Sequence, residues 1–151
     1  MLSRILLILL VSGIWSCPQL VAEDSPPELR WNQLVDSWQL LGPFPKPDTS
    51  QDGLGFPFVE DEAHLEFGDV VFYEGKLYTW KSVNQQAISF KNVFGLNNQE
   101  GNHQAAYAWA EFTSPISQKA ILSIGYDDHY VAWLNGEEVG RGADDTAANL
   151  D

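Results

Sequence analysis

The stretch YDDHYVAWLNGEEVG, residues 126–140, has the pattern of a β-hairpin. Apolar side chains alternate with other residues up to Asn135-Gly136, and this dipeptide between two such segments is the strongest short-range indication of a β-hairpin. The first strand carries bulky side chains on both faces: His129, Val131 and Trp133 on one, and Tyr130, Ala132 and Leu134 on the other. We therefore expect a strand covered on both sides, as in a sandwich.

Five further segments of the chain are rich in β-branched and aromatic residues and are bounded by turn residues, which predicts strands. They are VVFY, KLYTWKSV, AISF, QAAYAWAEF and KAILSIGY. In QAAYAWAEF the alternation sets Tyr107, Trp109 and Glu111 on one face and Ala108, Ala110 and Phe112 on the other. No stretch after residue 22 has convincing helical periodicity over the ten or so residues that a helix requires. The sequence predicts an all-β fold, an antiparallel β-sandwich.

The proline-rich segment WQLLGPFPKPD, residues 38–48, begins as a short apolar strand over residues 38–41. Proline cannot donate to a strand ladder, so Gly42-Pro43 predicts the end of that strand. Because Pro45 and Pro47 follow, we expect a long loop or a sheet edge and not a central strand. Phe44 is expected to be buried at this turn.

The charge of the chain limits its partners. It has 21 acidic and 8 basic residues and a formal net charge of −13. Nucleic acids and anionic lipids require a basic face, so nucleic acid is excluded as a partner. Neutral glycans, cations and envelope proteins remain.

The first residues predict export to the periplasm or the outside of the cell. Arg4 precedes an apolar run over residues 5–11, which is too short to cross a bilayer but suits a signal peptide. Two processing routes stay open: cleavage after Ala22, or lipidation of Cys17 as in bacterial lipoproteins. Cys17 is the one cysteine in the chain, so no disulfide framework is expected. We expect no transmembrane span in the mature chain.

Four segments follow along the chain: a signal peptide at 1–22, a linker at 23–30, a β-sandwich module at 31–142 and a polar tail at 143–151. The end of the chain, RGADDTAANLD at residues 141–151, contains no strand pattern to close a sandwich after the hairpin. We therefore expect the module to lack its last strands, as a piece of a longer protein would.

The segments WQLLGPF, YTWKSV, AYAWAEFTSP and ILSIGYDDHYVAWLNGEEVGR resemble the N-terminal β-sandwich of exported proteins from environmental bacteria. The hairpin is similar to the galactose-binding-like jelly roll that precedes the catalytic domain of β-galactosidase-type glycoside hydrolases. It also resembles the sugar-binding domain of the anthrax-protective-antigen type found in adhesins, where an Asp-Asp pair helps to hold calcium and the sugar. The resemblance implies a jelly roll, carbohydrate as the ligand, and Asp127 and Asp128 as calcium ligands.

The Asp pair has two interpretations. Calcium takes about six to eight oxygen ligands, so two aspartates supply only part of a site. Further oxygens are available at Asn97, Asn98, Glu100, Asp144 and Asp145. Tyr126 or Tyr130 would then stack on the sugar ring as the ligand-binding residue. Alternatively, Asp127 and Asp128 hydrogen-bond local amides in a turn.

Catalytic patterns are missing from the sequence. It contains no Gly-x-Ser-x-Gly elbow, no His-Glu-x-x-His and no phosphate-binding glycine loop, so we expect no enzyme. The first hypothesis is an exported, non-catalytic carbohydrate-binding or accessory module, with calcium as its one candidate cofactor. One alternative is a structural or protein-interaction module of the cell envelope, in which the edge after Val139 pairs with a partner strand. The other is the N-terminal fragment of a larger glycoside hydrolase.

Overall fold

The computed structural model describes residues 34–46, 56–97, 99–100, 103–126 and 128–142. The strands of these residues are β1 Ser37–Pro45, β2 Val71–Tyr73, β3 Lys76–Tyr78, β4 Trp80–Asn84, β5 Gln104–Trp109, β6 Tyr130–Leu134 and β7 Glu137–Gly142. Two short helices accompany them, the 3-10 helix Glu62–His64 and the α-helix α1 Phe90–Phe94. Every strand pair among the described residues is antiparallel, which confirms the all-β class. The jelly-roll arrangement stays a prediction.

Three of the four predicted segments are not among the residues that the structure describes. The signal peptide at 1–22, with Ala22 and Cys17, the linker at 23–30 and the tail at 143–151 lie outside the described residues. Within the described part of the chain, no helix is long and apolar enough to cross a membrane.

A three-stranded sheet in the order β4-β1-β5 is the centre of the fold. Gln39 on β1 lies opposite Ser82 on β4 and Trp109 on β5. Two steps along, Leu41 lies opposite Trp80 and Tyr107. These positions share one face of the sheet, because side chains two apart on a strand point the same way. The strand pairs β2-β3 and β6-β7 form two separate hairpins.

An apolar cluster lies on each face of this sheet. The first core lies on the Leu41 face and consists of Leu41, Phe44, Phe58, Leu65, Val71, Tyr78 and Tyr107. The second core lies on the opposite face and consists of Trp38, Leu40, Ala108, Ala110, Phe112 and Ala132. The predicted division of β5 is confirmed, since Tyr107 and Trp109 contact the first core and the intervening Ala108 belongs to the second.

The prediction that the first strand ends at Leu41 and that a loop or edge follows was wrong. Strand β1 continues to Pro45 and is the central strand of its sheet. Its register with β5 shifts between Leu41 and Phe44, where β1 contains one residue more than its partner. Gly42 and Pro43 occupy this bulge, and pairing with β4 has already ended at Leu41. Proline is tolerated at bulges because its missing N–H is not needed there.

Gly42 is required at the bulge for two reasons. Its φ of 141° lies in a region that L side chains rarely adopt. A Cβ at this position would lie 3.1 Å from the Cβ of Ala106 on β5. The backbones of β1 and β5 therefore approach closely where the register shifts.

Three predicted strands differ from the structure. KLYTWKSV is split at Thr79 into β3, which pairs with β2, and β4, which pairs with β1. AISF is not a strand, because Ser89 caps α1 by accepting from the N–H of Asn92, and α1 ends at Gly95 in the left-handed conformation. KAILSIGY, residues 119–126, forms no strand pair in the described part of the chain.

The predicted hairpin is confirmed. Asn135 and Gly136 have φ of 52° and 87°, as the two central residues of a type I′ turn require. Trp133 packs against the first core, whereas Tyr130 and Ala132 belong to the second, so both faces of β6 carry apolar contacts. The turn touches the 3-10 helix, because a Cβ on Gly136 would lie 2.6 Å from Nε2 of His64.

Candidate ligand-binding site

Three half-buried aromatic rings form a wall at one side of the Leu41 face of the sheet. The ring of Phe67 lies edge-on to Trp80, with centroids 5.6 Å apart, and tilted by 31° over Trp109, also at 5.6 Å. Trp80 Nε1 donates to the carbonyl of Asp69 at 3.2 Å, which fixes the indole against the loop before β2. Because the rings are only half-buried, part of their apolar surface remains in contact with solvent.

Polar side chains lie next to this aromatic wall. Ser82 Oγ donates to Gln39 Oε1 at 2.7 Å, across the β1-β4 pair. This bond orients the Gln39 amide beside Trp109, its neighbour on the other side. The two N–H donors of the amide have no hydrogen-bond partner among the described residues and can donate to a ligand. An apolar ring beside a few oriented polar groups is typical of a small-molecule site.

The same face continues away from the aromatic wall. Ser37 and Asn84 lie opposite each other, two residues beyond Gln39 and Ser82 on their strands, and both are exposed. We call the surface of Trp109, Gln39, Ser82, Ser37 and Asn84 the open face. Its hydroxyl and amide groups can donate to and accept from a ligand without carrying charge.

The two predicted ligand-binding tyrosines are brought together by the structure. The rings of Tyr126 and Tyr130 lie 4.6 Å apart at an angle of 57°. Both rings also cover Gly142, where a Cβ would lie 2.6 Å from Cζ of Tyr126. The rings therefore pack on each other and on the backbone of β7.

The structure describes only one of the two predicted calcium ligands. Asp128 is exposed, and Asp127 lies outside the described residues. No three His, Cys, Asp or Glu side chains gather as a metal site within the described ranges.

The loop that we considered as a source of further oxygen ligands uses its oxygens locally. Asn97 Oδ1 accepts from the N–H groups of Gln99 and Glu100, each at 2.9 Å. Glu100 Oε2 accepts from the N–H of Asn97 at 3.0 Å. These bonds close a turn of the kind that Asn side chains often stabilise. Asn98, Asp144 and Asp145 lie outside the described residues.

A half-buried acid, Glu62, contacts the first core through Tyr107. Tyr107 is fully buried, and its hydroxyl donates to Glu62 Oε1 at 2.9 Å and accepts from the N–H of Phe58 at 3.2 Å. Burial raises the pKa of Glu62, and the Tyr107 hydroxyl, the Phe58 amide and the charge of Arg141 oppose this rise. Burial also raises the pKa of Tyr107. This acid joins residues 58–62 to the sheet and is engaged in packing.

The sequence did not single out the residues of the open face. The structure leaves Trp109 half-buried and packed against the first core. The alternation in QAAYAWAEF identified its face correctly. No local sequence motif marks Gln39 and Ser82 as neighbours, because only the register of β1 with β4 brings them together.

The chain matches no protein-family model, no curated protein and no solved structure in comparisons with all three. The residues and geometry of the site are therefore the basis for the function that follows.

Proposed function

We propose that this chain is an exported, non-catalytic carbohydrate-binding module that takes its glycan on the open face. The observation that carries this proposal is half-buried Trp109 beside the hydrogen-bonded pair of Gln39 and Ser82. An aromatic ring covers the apolar C–H face of a sugar, while amide and hydroxyl groups bond its ring hydroxyls. These are the two kinds of surface that a pyranose presents.

Charge narrows the class of glycan. Gln39, Ser82 and Asn84 are uncharged, and the chain as a whole has a formal net charge of −13. Uronates and sulfated sugars would be repelled by this field, so the ligand is a neutral glycan. The export part of the proposal rests on the pattern of residues 1–22, with cleavage after Ala22 or lipid attachment at Cys17 as its two routes.

Replacement of Trp109 by alanine is expected to weaken glycan binding about tenfold, because a buried aromatic contact contributes roughly 1–2 kcal/mol. Ser82→Ala is expected to weaken binding less, since Gln39 loses its orientation but keeps its donors. Calorimetric titration of a neutral glycan selected by array measures both effects. Phe72→Ala is the matched control, because Phe72 is 68% exposed and lies on the separate β2-β3 hairpin.

Unchanged affinity in both Trp109→Ala and Ser82→Ala, with folding intact by circular dichroism, would place binding elsewhere, Tyr126 and Tyr130 being the next surface to test. Ser82 is exposed, so this variant separates loss of binding from loss of folding.

Calcium assistance is a separate part of the proposal and rests on Asp127 and Asp128. It predicts that millimolar calcium raises the unfolding midpoint, since a ligand bound only by the folded state stabilises it. The rise should vanish in Asp128→Ala and persist in Asp61→Ala, an exposed aspartate whose carboxylate contacts His64 at 3.0 Å. Differential scanning fluorimetry measures this shift. A midpoint indifferent to calcium would make the Asp pair a turn and glycan binding metal-independent.

A second candidate function, an envelope protein-interaction module, is favoured by the segment 119–126. Leu122 and Ile124 pack against the second core, whereas Ile121 is 92% exposed, so the side chains alternate as in a strand without a strand partner among the described residues. A partner strand could pair with such a segment. Concentration-dependent association without any glycan binding would support this function over the first.

A further inference from the structure

The open face has two rows of side chains, and their spacing limits the ligand. The first row crosses the sheet from Trp109 through Gln39 to Ser82, and the second contains Ser37 and Asn84. Neighbouring strands are about 4.8 Å apart, and two residues along a strand span about 6.8 Å. Asn84 on β4 is therefore about 12 Å from Trp109 on β5, measured diagonally between backbones.

This distance exceeds the width of one pyranose ring with its hydroxyls. A sugar unit stacked on Trp109 reaches Gln39, its direct neighbour on β1, but Asn84 lies beyond that unit. Asn84 is therefore placed to contact a further unit linked to the first.

The residues around the open face determine in which direction a longer ligand can extend. Beyond Trp109 and Gln39, the next row contains Leu41, which is fully buried under the first core. Extension along the strands on that side is blocked. On the other side, Asn84 is followed by Gln85 and Gln86, which are exposed and supply further amide groups.

We propose that the open face binds a neutral oligosaccharide of at least two linked units, the first on Trp109 and Gln39 and the second at Asn84. This inference rests on the proposed function, because it names the ligand of the same site. The polar groups of Gln39, Ser82, Ser37 and Asn84 are amides and hydroxyls, which recognise hydroxyl groups and need no charged partner.

Titration with mono-, di- and tetrasaccharides of the gluco, xylo and manno series tests the inference. For the series that binds, the wild-type chain is expected to bind the disaccharide about tenfold more tightly than the monosaccharide, as one or two further hydrogen bonds would give. Asn84→Ala is expected to remove most of this difference while leaving monosaccharide affinity unchanged. Trp109→Ala is expected to weaken both ligands.

Asn92→Ala is the matched control, because Asn92 is an exposed asparagine on α1. It should leave both affinities unchanged. A disaccharide that binds no better than the monosaccharide, or an Asn84→Ala variant that weakens both ligands equally, would overturn the two-unit site and leave glycan binding standing. Failure of the wild-type chain to bind any glycan would instead overturn the proposed function itself.

Discussion

Replacement of Phe44 by alanine is expected to lower the free energy of unfolding by about 3–5 kcal/mol, the range for a fully buried phenylalanine. The Phe44 side chain is completely buried in the first core. Its ring lies 4.1 Å from that of Tyr78, 5.1 Å from Tyr107, 5.3 Å from Phe58 and 5.9 Å from Tyr73, measured between centroids. Removal of the ring takes away four aromatic contacts at once and leaves a cavity between β1 and the β2-β3 hairpin.

Urea unfolding followed by tryptophan fluorescence measures this loss. Domains of this kind are stable by about 5–15 kcal/mol, so the change should be a large fraction of the total. Phe72→Ala serves as the control, because its ring is mostly exposed and a surface substitution is expected to change stability by about 0.5 kcal/mol or less. Equal, small losses in both variants would contradict a first core packed around Phe44.

Phe44 also shows how far local sequence reasoning reaches. Its burial was predicted correctly, but the strand around it was not. Leu41 and Phe44 are three residues apart and would point to opposite faces of a regular strand, yet both belong to the first core. The extra residue of the Gly42-Pro43 bulge reverses the alternation, and the sequence pattern did not reveal it.

Features set by neighbouring residues were predictable. The Asn135-Gly136 turn and the division of β5 between two faces depend only on turn chemistry and alternation. The segment AISF failed because Ser89 and Gly95 cap a short helix whose five residues are too few for a periodic pattern. KAILSIGY failed because alternation reports burial, whereas a strand also needs a partner for its backbone.

In the candidate site too, contacts within a short segment could be predicted and contacts that depend on strand pairing could not. Tyr126 and Tyr130 are four residues apart on either side of the Asp pair, and their proximity could be predicted from a short segment. Gln39 and Ser82 are separated by 43 residues, and their hydrogen bond depends on strand register. One sequence does not determine such a register when neighbouring polar positions would fit equally well.

Replacement of Tyr107 by phenylalanine is expected to lower the free energy of unfolding by about 2–4 kcal/mol. The change removes only the hydroxyl, so the ring still fills the first core. It leaves the N–H of Phe58 without its buried acceptor and the carboxyl of Glu62 without its donor. Tyr73→Phe is the matched control, since Tyr73 is only half-buried and contacts the same cluster through its ring. Equal losses in the two variants would mean that the Tyr107 hydroxyl contributes little.

The acid that this hydroxyl contacts should make stability depend on pH in a defined direction. Burial raises the pKa of Glu62, so the folded chain holds this proton more tightly than the unfolded chain does. The resulting stability is fully present below the ordinary carboxyl pKa and is lost as the pH rises through the raised value. Near neutral pH, the ionised Glu62 therefore destabilises the fold relative to a neutral group of the same shape.

Glu62→Gln is accordingly expected to unfold at a higher urea concentration than the wild type at neutral pH, because glutamine keeps an acceptor for Tyr107 without a partly desolvated charge. The advantage should disappear in acid, where Glu62 of the wild type is protonated. Glu60→Gln, an exposed acid two residues away, should show no comparable advantage at neutral pH. A Glu62→Gln variant less stable than the wild type at neutral pH would mean that the bond from Tyr107 to the ionised carboxylate outweighs its desolvation, contrary to the raised pKa.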